Sequence, residues 1–160
     1  FAGTLVVLVA RMLYSRSTSA RSIVDAFAPW ALPLAAAVTT TCALGSLYFS
    51  EIVNYKPCIM CWYQRTMMYP LAVILIVAAL TKDKKVWRYA TPLAAIGIVF
   101  STYHWFLERF PNLDAGVCDV EVPCEFVWFE NFGFVTLPFM ALTGFLAVLV
   151  FTTLPNTQKE

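Results

Sequence analysis

Two cysteines separated by two residues, Cys58 and Cys61, are the residues in this chain best suited to chemistry. Thiols at this spacing can close a reversible disulfide. Arg65 follows Cys61 by four residues, so on a helix its guanidinium would lie one turn from that sulfur. A permanent positive charge there favours the thiolate over the thiol and increases its reactivity. The pattern is therefore typical of a redox-active dithiol.

A second cysteine pair, Cys118 and Cys124, has five intervening residues and an acidic setting. Asp119 and Glu121 lie between the two cysteines, and Glu125 follows them. Negative charge disfavours a thiolate, whereas the arginine near the first pair favours one. A couple whose thiolates are stabilised is the stronger oxidant, so we expect electrons to run from the acidic pair to the first pair.

The composition requires a membrane-embedded scaffold around these cysteines. The 160 residues are 60% hydrophobic and only 13% charged, with a mean hydropathy of +0.70. These values are too apolar for an ordinary soluble domain. A net charge of +1 also gives no basic field suited to nucleic acid. We therefore expect an integral membrane protein with no nucleic-acid partner.

Uncharged stretches predict four membrane-spanning helices. The runs at residues 26–50, 89–107 and 131–158 are each close to the roughly 20 residues that a spanning helix needs. The run at residues 66–81 is shorter, so this helix is expected to begin near the dithiol, with Arg65 inside the membrane. The predicted spans are about residues 29–50, 62–81, 88–107 and 132–154.

These spans predict an all-α fold, a four-helix transmembrane bundle at residues 26–158 with two short cysteine loops. Residues 1–25 are expected to form an interfacial or truncated amino-terminal segment. Basic residues mark the predicted cytoplasmic side, and they are Arg11, Arg16, Arg21, Lys82, Lys84, Lys85 and Arg88. Both termini are then cytoplasmic, and both cysteine loops lie on the outer, oxidising face of the cell membrane.

Other interpretations of these residues stay open. The cysteines could be staples of a small membrane protein without redox turnover, or four thiolates could bind zinc, although the second pair lacks the usual two-residue gap. Arg65 and His104 could line a channel. Alternatively, Arg65 could be an anchor that extends its charge to the membrane surface, and His104 could be a helix-end histidine with satisfied hydrogen bonds. Cys42, within the first predicted span, is expected to be a packing residue.

The chain resembles the DsbB/BdbC family of disulfide-bond formation proteins, quinone-dependent membrane oxidoreductases that reoxidise a thioredoxin-like thiol oxidase. The resemblance covers residues 29–154. It rests on the P-C-x-x-C-W-Y-Q-R motif from Pro57, on Tyr103-His104, on the second cysteine pair and on F-G-F-V-T-L-P at residues 132–138. The short gap in the second pair resembles the BdbC branch. A vitamin K epoxide reductase relative matches less well, because its quinone-facing dithiol lies in a later span.

The resemblance implies an order of thiol exchange. Cys118 would be attacked by the reduced partner, a secreted or membrane-tethered thiol oxidase similar to DsbA or BdbD. The released Cys124 would then engage Cys58. Cys61 would become the thiolate that faces the electron acceptor.

The electron acceptor is expected to be lipid-soluble, because the sequence contains no flavin, haem or nucleotide motif. The resemblance implies a quinone, either menaquinone or ubiquinone, bound near Cys61. Arg65 would support quinone binding and the thiolate charge, and His104 would lie near the same site. No metal site is predicted.

The predicted orientation can be tested by thiol labelling. In intact cells treated with a reductant, we expect a membrane-impermeant thiol reagent to label the cysteine loops and to spare an Asp83→Cys variant at position 83. The reason is that the basic loop around this position should be cytoplasmic. Labelling is read by mass spectrometry. Modification at position 83 would reverse the topology and place the dithiols in a reducing compartment.

Overall fold

The computed structural model describes residues 9, 18–83, 85–114, 116–118 and 121–157. Over these residues the fold is helical, with one isolated bridge between Asn131 and Val135, so the all-α prediction is confirmed. The helices are α1 (Thr18–Phe27), α2 (Ala31–Leu47), α3 (Ile59–Thr81), α4 (Trp87–Arg109) and α5 (Leu137–Thr157). Most of the predicted amino-terminal segment, together with Arg11, Arg16, Lys84 and Asp119, lies outside the described residues.

Four helical segments of the described chain are long and apolar enough to cross a membrane, as predicted. They are Val24–Ile52, Ile59–Thr81, Trp87–Arg109 and Leu137–Leu154. The first segment continues beyond α2 through a π-helical turn, Tyr48–Ile52. A 3-10 turn, Ala28–Trp30, joins α1 to α2, and another, Pro111–Leu113, follows α4.

The last spanning helix begins at Leu137, later than the predicted residue 132. The residues before it form a tight turn in which Asn131 and Val135 exchange two backbone hydrogen bonds of 2.9 Å. Phe132 and Gly133 adopt positive φ angles of 53° and 74°, which a helix cannot contain. An uncharged apolar run does not distinguish such a turn from a helix, which explains the difference.

The four spanning helices pack in a ring, in which α2 and α4 each contact both α3 and α5. Small residues permit this close packing, as is common between membrane helices. A Cβ atom added at Gly97 of α4 would overlap the fully buried ring of Phe145 on α5. A Cβ atom added at Gly144 would lie 2.8 Å from the sulfur of Cys42 on α2. The ring thus fixes the helices that carry the cysteines and the residues around them.

Candidate functional site

The first dithiol lies at the amino-terminal end of α3. Cys58 is the N-cap residue of this helix, with an extended backbone, and its sulfur accepts a hydrogen bond from the Cys61 backbone N–H at 3.4 Å. Both thiols are free, and their sulfurs are 3.0 Å apart. A helix N-terminus stabilises negative charge, so the local fold places the pair where a thiolate is favoured.

The second pair, Cys118 and Cys124, is joined in a disulfide with a Cα–Cα distance of 5.7 Å. Cys124 is only 2% exposed and packs in a buried cluster with Cys58, Met60 and Leu107. Cys118 and Cys61 pack against the same cluster and are half-buried. The structure therefore brings the two predicted pairs together at one end of the bundle.

His104 lies between the two pairs. This buried side chain of α4 places Nε2 at 3.5 Å from the Cys58 sulfur and 3.2 Å from the Cys124 carbonyl oxygen. Its Nδ1 lies 3.0 Å from the amide nitrogen of Gln64 on α3. The resemblance implied that this histidine lies near a quinone, and a satisfied helix-end histidine was the alternative. In the structure it contacts Gln64 and one member of each cysteine pair.

The surroundings of Cys58 favour negative charge on its sulfur. The hydrogen bond with the Cys61 sulfur lowers the pKa of Cys58 below its ordinary value, burial opposes this effect, and the hydrogen bond with His104 adds to the lowering. Sequence reasoning considered Arg65 and a possible helix start, and it placed the stabilised thiolate at Cys61. The contact with His104 comes from another helix, so spacing within α3 could not have shown it.

A cavity of about 580 Å³ lies among α2, α3 and α5, with Cys61 on its wall. This volume is within the usual range for small-molecule sites. Most of the lining is apolar, including Val38, Met68 and Leu137, while Gln64, Arg65 and Lys56 supply polar groups. An apolar cavity with a thiol and a guanidinium on its wall suits a largely apolar ligand that carries hydrogen-bond acceptors.

Arg65 is fixed at this cavity by a serine from the neighbouring helix. Its Nε donates to the Ser46 hydroxyl at 2.9 Å, and its Nη2 donates to the Ser46 carbonyl at 2.9 Å. The guanidinium also lies 5.3 Å from the centre of the Trp62 ring, a distance suited to a cation–π contact. These contacts hold the guanidinium on the cavity wall, where it can donate a hydrogen bond to a bound ligand.

Aromatic residues close the cavity at the loop end. Tyr55 stacks on Phe49 at 5.7 Å and on Trp128 at 4.6 Å between ring centres, and all three side chains line the cavity. The contact between Tyr55 and Trp128 joins the second cysteine loop to the segment that precedes Cys58, so the two loops share one wall.

Sequence reasoning missed Gln64, Ser46 and Tyr55 as site residues. Gln64 had a usable signal, because it follows Cys61 by three residues and therefore lies one helical turn from it. Ser46 and Tyr55 had none, since their contacts join helices or loops that local spacing does not relate. His104 is not part of the cavity lining among the described residues, and Gln64 connects it to that lining.

Three potential metal-ligand atoms, from Cys58, Cys61 and His104, lie within 4.8 Å of one another. Thiolates and imidazole suit zinc or copper, and closing the Cys58–Cys61 disulfide would remove two of the ligands. The four-thiolate zinc site considered from the sequence has a different donor set. It would also require the bond between Cys118 and Cys124 to be reduced, whereas that bond is closed here.

Residues 28–154 match the family described as disulfide bond formation protein DsbB. The chain belongs to the DsbB family. Disulfide bond formation protein C of Bacillus subtilis is 40% identical over 140 residues, which cover 86% of this chain and 96% of that protein. Probable disulfide formation protein C 1 of Bacillus cereus is 44% identical over 108 residues, covering 67% and 78% respectively. No solved structure matches the chain.

DsbB-family membership confirms the resemblance drawn from the cysteine motifs. The protein is a multi-pass membrane protein of disulfide-bond formation, and its chemistry is that of a disulfide oxidoreductase. The two cysteine pairs packed in one cluster give this DsbB-family chain the groups that such chemistry needs.

The stabilised charge on Cys58 should be visible in its alkylation. We expect the reduced protein to be alkylated at Cys58 at a pH below the ordinary thiol value of about 8.5, because a lowered pKa leaves more thiolate at low pH. Cys61→Ala should move the profile to higher pH, and His104→Phe should move it less. Mass spectrometry of the Cys58 peptide gives the rate. Cys42→Ala is the control thiol variant, and a wild-type profile centred on the ordinary value would contradict the expectation.

Proposed function

We propose that this DsbB-family protein oxidises a secreted or membrane-tethered thioredoxin-like thiol oxidase and passes the electrons to a membrane quinone, menaquinone or ubiquinone. One observation carries the proposal. Cys61 lies on the wall of the apolar cavity, while its neighbour Cys58 packs in the same buried cluster as Cys124. Electrons from the partner can thus enter at the second cysteine loop and leave at the cavity.

The difference in exposure within the loop disulfide supports Cys118 as the entry sulfur. Cys118 is half-buried, whereas Cys124 is 2% exposed and packs against Leu107 and Cys58. A thiolate of the reduced partner can approach the more accessible sulfur, forming a mixed disulfide with Cys118. The bond to Cys124 breaks, and Cys124 leaves as a thiolate inside the protein.

The second exchange requires the Cys58–Cys61 pair in its disulfide form. The Cys124 thiolate attacks the Cys58 sulfur, the bond to Cys61 breaks, and Cys61 leaves as a thiolate on the cavity wall. The partner's second thiol then attacks its own sulfur in the mixed disulfide, so the partner leaves oxidised and Cys118 is released. Attack of Cys118 on Cys124 restores the loop disulfide and leaves the first pair reduced.

The cavity residues fit the final step. A quinone held there would supply an acceptor of two electrons and two protons for the oxidation of the first dithiol to its disulfide. Arg65, fixed by Ser46, would donate to a quinone oxygen, and the apolar lining would exclude water from the reacting groups. The free thiol of Cys61 on the wall of a ligand-sized cavity favours this redox function over purely structural disulfides.

The proposed orientation places the cysteine loops on the outer face of the cell membrane and both termini in the cytoplasm. Support comes from the exposed basic side chains Lys82, Lys85 and Arg88, which lie at and after the end of α3 that is opposite the dithiol. Excess basic charge marks cytoplasmic loops. The cysteines would then lie in an oxidising compartment, where disulfides persist.

The role of Arg65 can be separated from that of a membrane anchor. We expect Arg65→Gln to weaken quinone affinity by about 10- to 100-fold, the range for losing a hydrogen bond to a charged donor. Arg65→Lys should retain part of the activity, because it keeps the charge but loses the fork geometry. Quinone reduction followed by absorbance gives KM and kcat. Arg109→Gln is the matched control, since Arg109 pairs with Glu130 outside the cavity. An unchanged KM for quinone in Arg65→Gln would leave only the anchor role.

The order of exchange can be tested by trapping the mixed disulfide. The partner is a thioredoxin-like protein that lacks its resolving cysteine, and oxidised glutathione is supplied to take the two electrons released when two thiols join. Under these conditions Cys124→Ala should accumulate a covalent adduct at Cys118, because the cysteine that would compete for the sulfur is absent. Cys118→Ala should trap no partner at the loop. Non-reducing electrophoresis and mass mapping identify the bond. Adducts formed equally at both cysteines would contradict the order, and no adduct with any variant would contradict the oxidoreductase function.

A further inference from the structure

Gln64 is a buried polar residue to which the exchange reactions assign no role. Its side chain lines the cavity, and its amide nitrogen lies 3.0 Å from Nδ1 of His104. The residue is only 8% exposed, so its amide requires a partner within the protein. The imidazole of His104 is that partner.

The tautomer of His104 follows from the groups around its ring. The Cys124 carbonyl oxygen, 3.2 Å from Nε2, can only accept a hydrogen bond, so Nε2 must carry a proton. A neutral imidazole has one N–H group, which leaves Nδ1 as an acceptor. The Gln64 amide nitrogen is oriented to donate to it. The carbonyl is the one group in this network whose role cannot reverse, and it determines the rest.

We propose that Gln64 is a positioning residue that holds His104 in its Nε2–H tautomer, so that the ring donates to both the Cys124 carbonyl and the Cys58 sulfur. The inference rests on the proposed function, because it concerns the exchange between Cys124 and Cys58. In that exchange the Cys58–Cys61 bond breaks, the Cys58–Cys124 bond forms, and the imidazole stays a neutral donor throughout. Its two contacts hold the backbone of the attacking cysteine beside the sulfur that is attacked.

The opposite tautomer would act against the exchange. A lone pair on Nε2 would face the Cys124 carbonyl oxygen and the Cys58 sulfur, both of which carry negative charge density. The hydrogen bonds would be lost, and the Cys124 backbone would no longer be held at Cys58. By donating to Nδ1, the Gln64 amide thus supports the exchange from the ring nitrogen that contacts neither cysteine.

Nitrogen NMR can read the tautomer directly, since this chain contains a single histidine. In the reduced full-length protein in detergent above neutral pH, we expect a protonated Nε2 and an unprotonated Nδ1. The ionised carboxylate of Gln64→Glu presents only acceptors, so Nδ1 should become protonated in this variant. Gln64→Met removes the donor and should lower the preference for the Nε2–H tautomer by about three- to tenfold, the range for one neutral hydrogen bond.

A kinetic measurement tests the consequence without quinone or partner. In a Cys61→Ala, Cys118→Ala background, oxidised glutathione should form the Cys58–Cys124 bond, and Gln64→Met should slow this step severalfold. Thr66→Val is the matched control, because this exposed residue of α3 bonds only to the Trp62 carbonyl in the described contacts. If Gln64 had only a structural role, Gln64→Met would leave the His104 tautomer unchanged.

The outcomes separate this inference from the proposed function. A protonated Nδ1 or an imidazolium in the wild type, or a Gln64→Glu spectrum identical to the wild type, would overturn the positioning role. An unchanged rate of bond formation in Gln64→Met would overturn its link to the exchange. Absence of quinone turnover would refute the quinone function and leave the NMR result standing, because the spectrum requires no turnover.

Discussion

The site depends on the position of one sulfur, that of Cys58, at the start of α3. Cys58 is the N-cap residue, and its sulfur accepts a hydrogen bond from the Cys61 backbone N–H. The same sulfur lies 3.0 Å from the Cys61 sulfur and 3.5 Å from Nε2 of His104. A sulfur in this position meets donors from its own helix and from α4. The same position brings it into the buried cluster with Cys124. The Cys58 side chain thus both caps the helix and makes the contact between the two cysteine pairs.

The membrane setting explains why the polar groups near this sulfur are linked to one another. Unpaired polar groups are costly in a low-dielectric interior, so each must find a partner within the protein. Arg65 bonds to Ser46, and Gln64 bonds to His104, in both cases across a helix–helix contact. The apolar cavity beside them is then bordered by polar groups in fixed positions. Such an arrangement can orient a ligand while keeping water away from the thiols.

The bundle positions these groups through close packing of small residues. Gly97 lets α4 approach the Phe145 ring of α5, and Gly144 lets α5 approach Cys42 of α2. Helix α4 carries His104, and α2 carries Ser46, so the separation of the helices sets the distances at the site. The second loop is held by its own contacts, since Trp128 stacks on Tyr55 just before the dithiol. The two cysteine pairs thus meet at one end of the four-helix bundle.

The sequence by itself determined the features that depend on local spacing and hydropathy. The two-residue gap between Cys58 and Cys61 defines a dithiol, and uncharged runs define four spanning helices, because both properties act within one segment. The tertiary structure alone decided that His104 bonds to Gln64, 40 residues away, and to Cys124, 20 residues away. It also decided that the turn at residues 131–136 precedes the last helix. Contacts between segments depend on how each helix is rotated and how closely it packs, and this information is spread over many small side chains that form no local pattern.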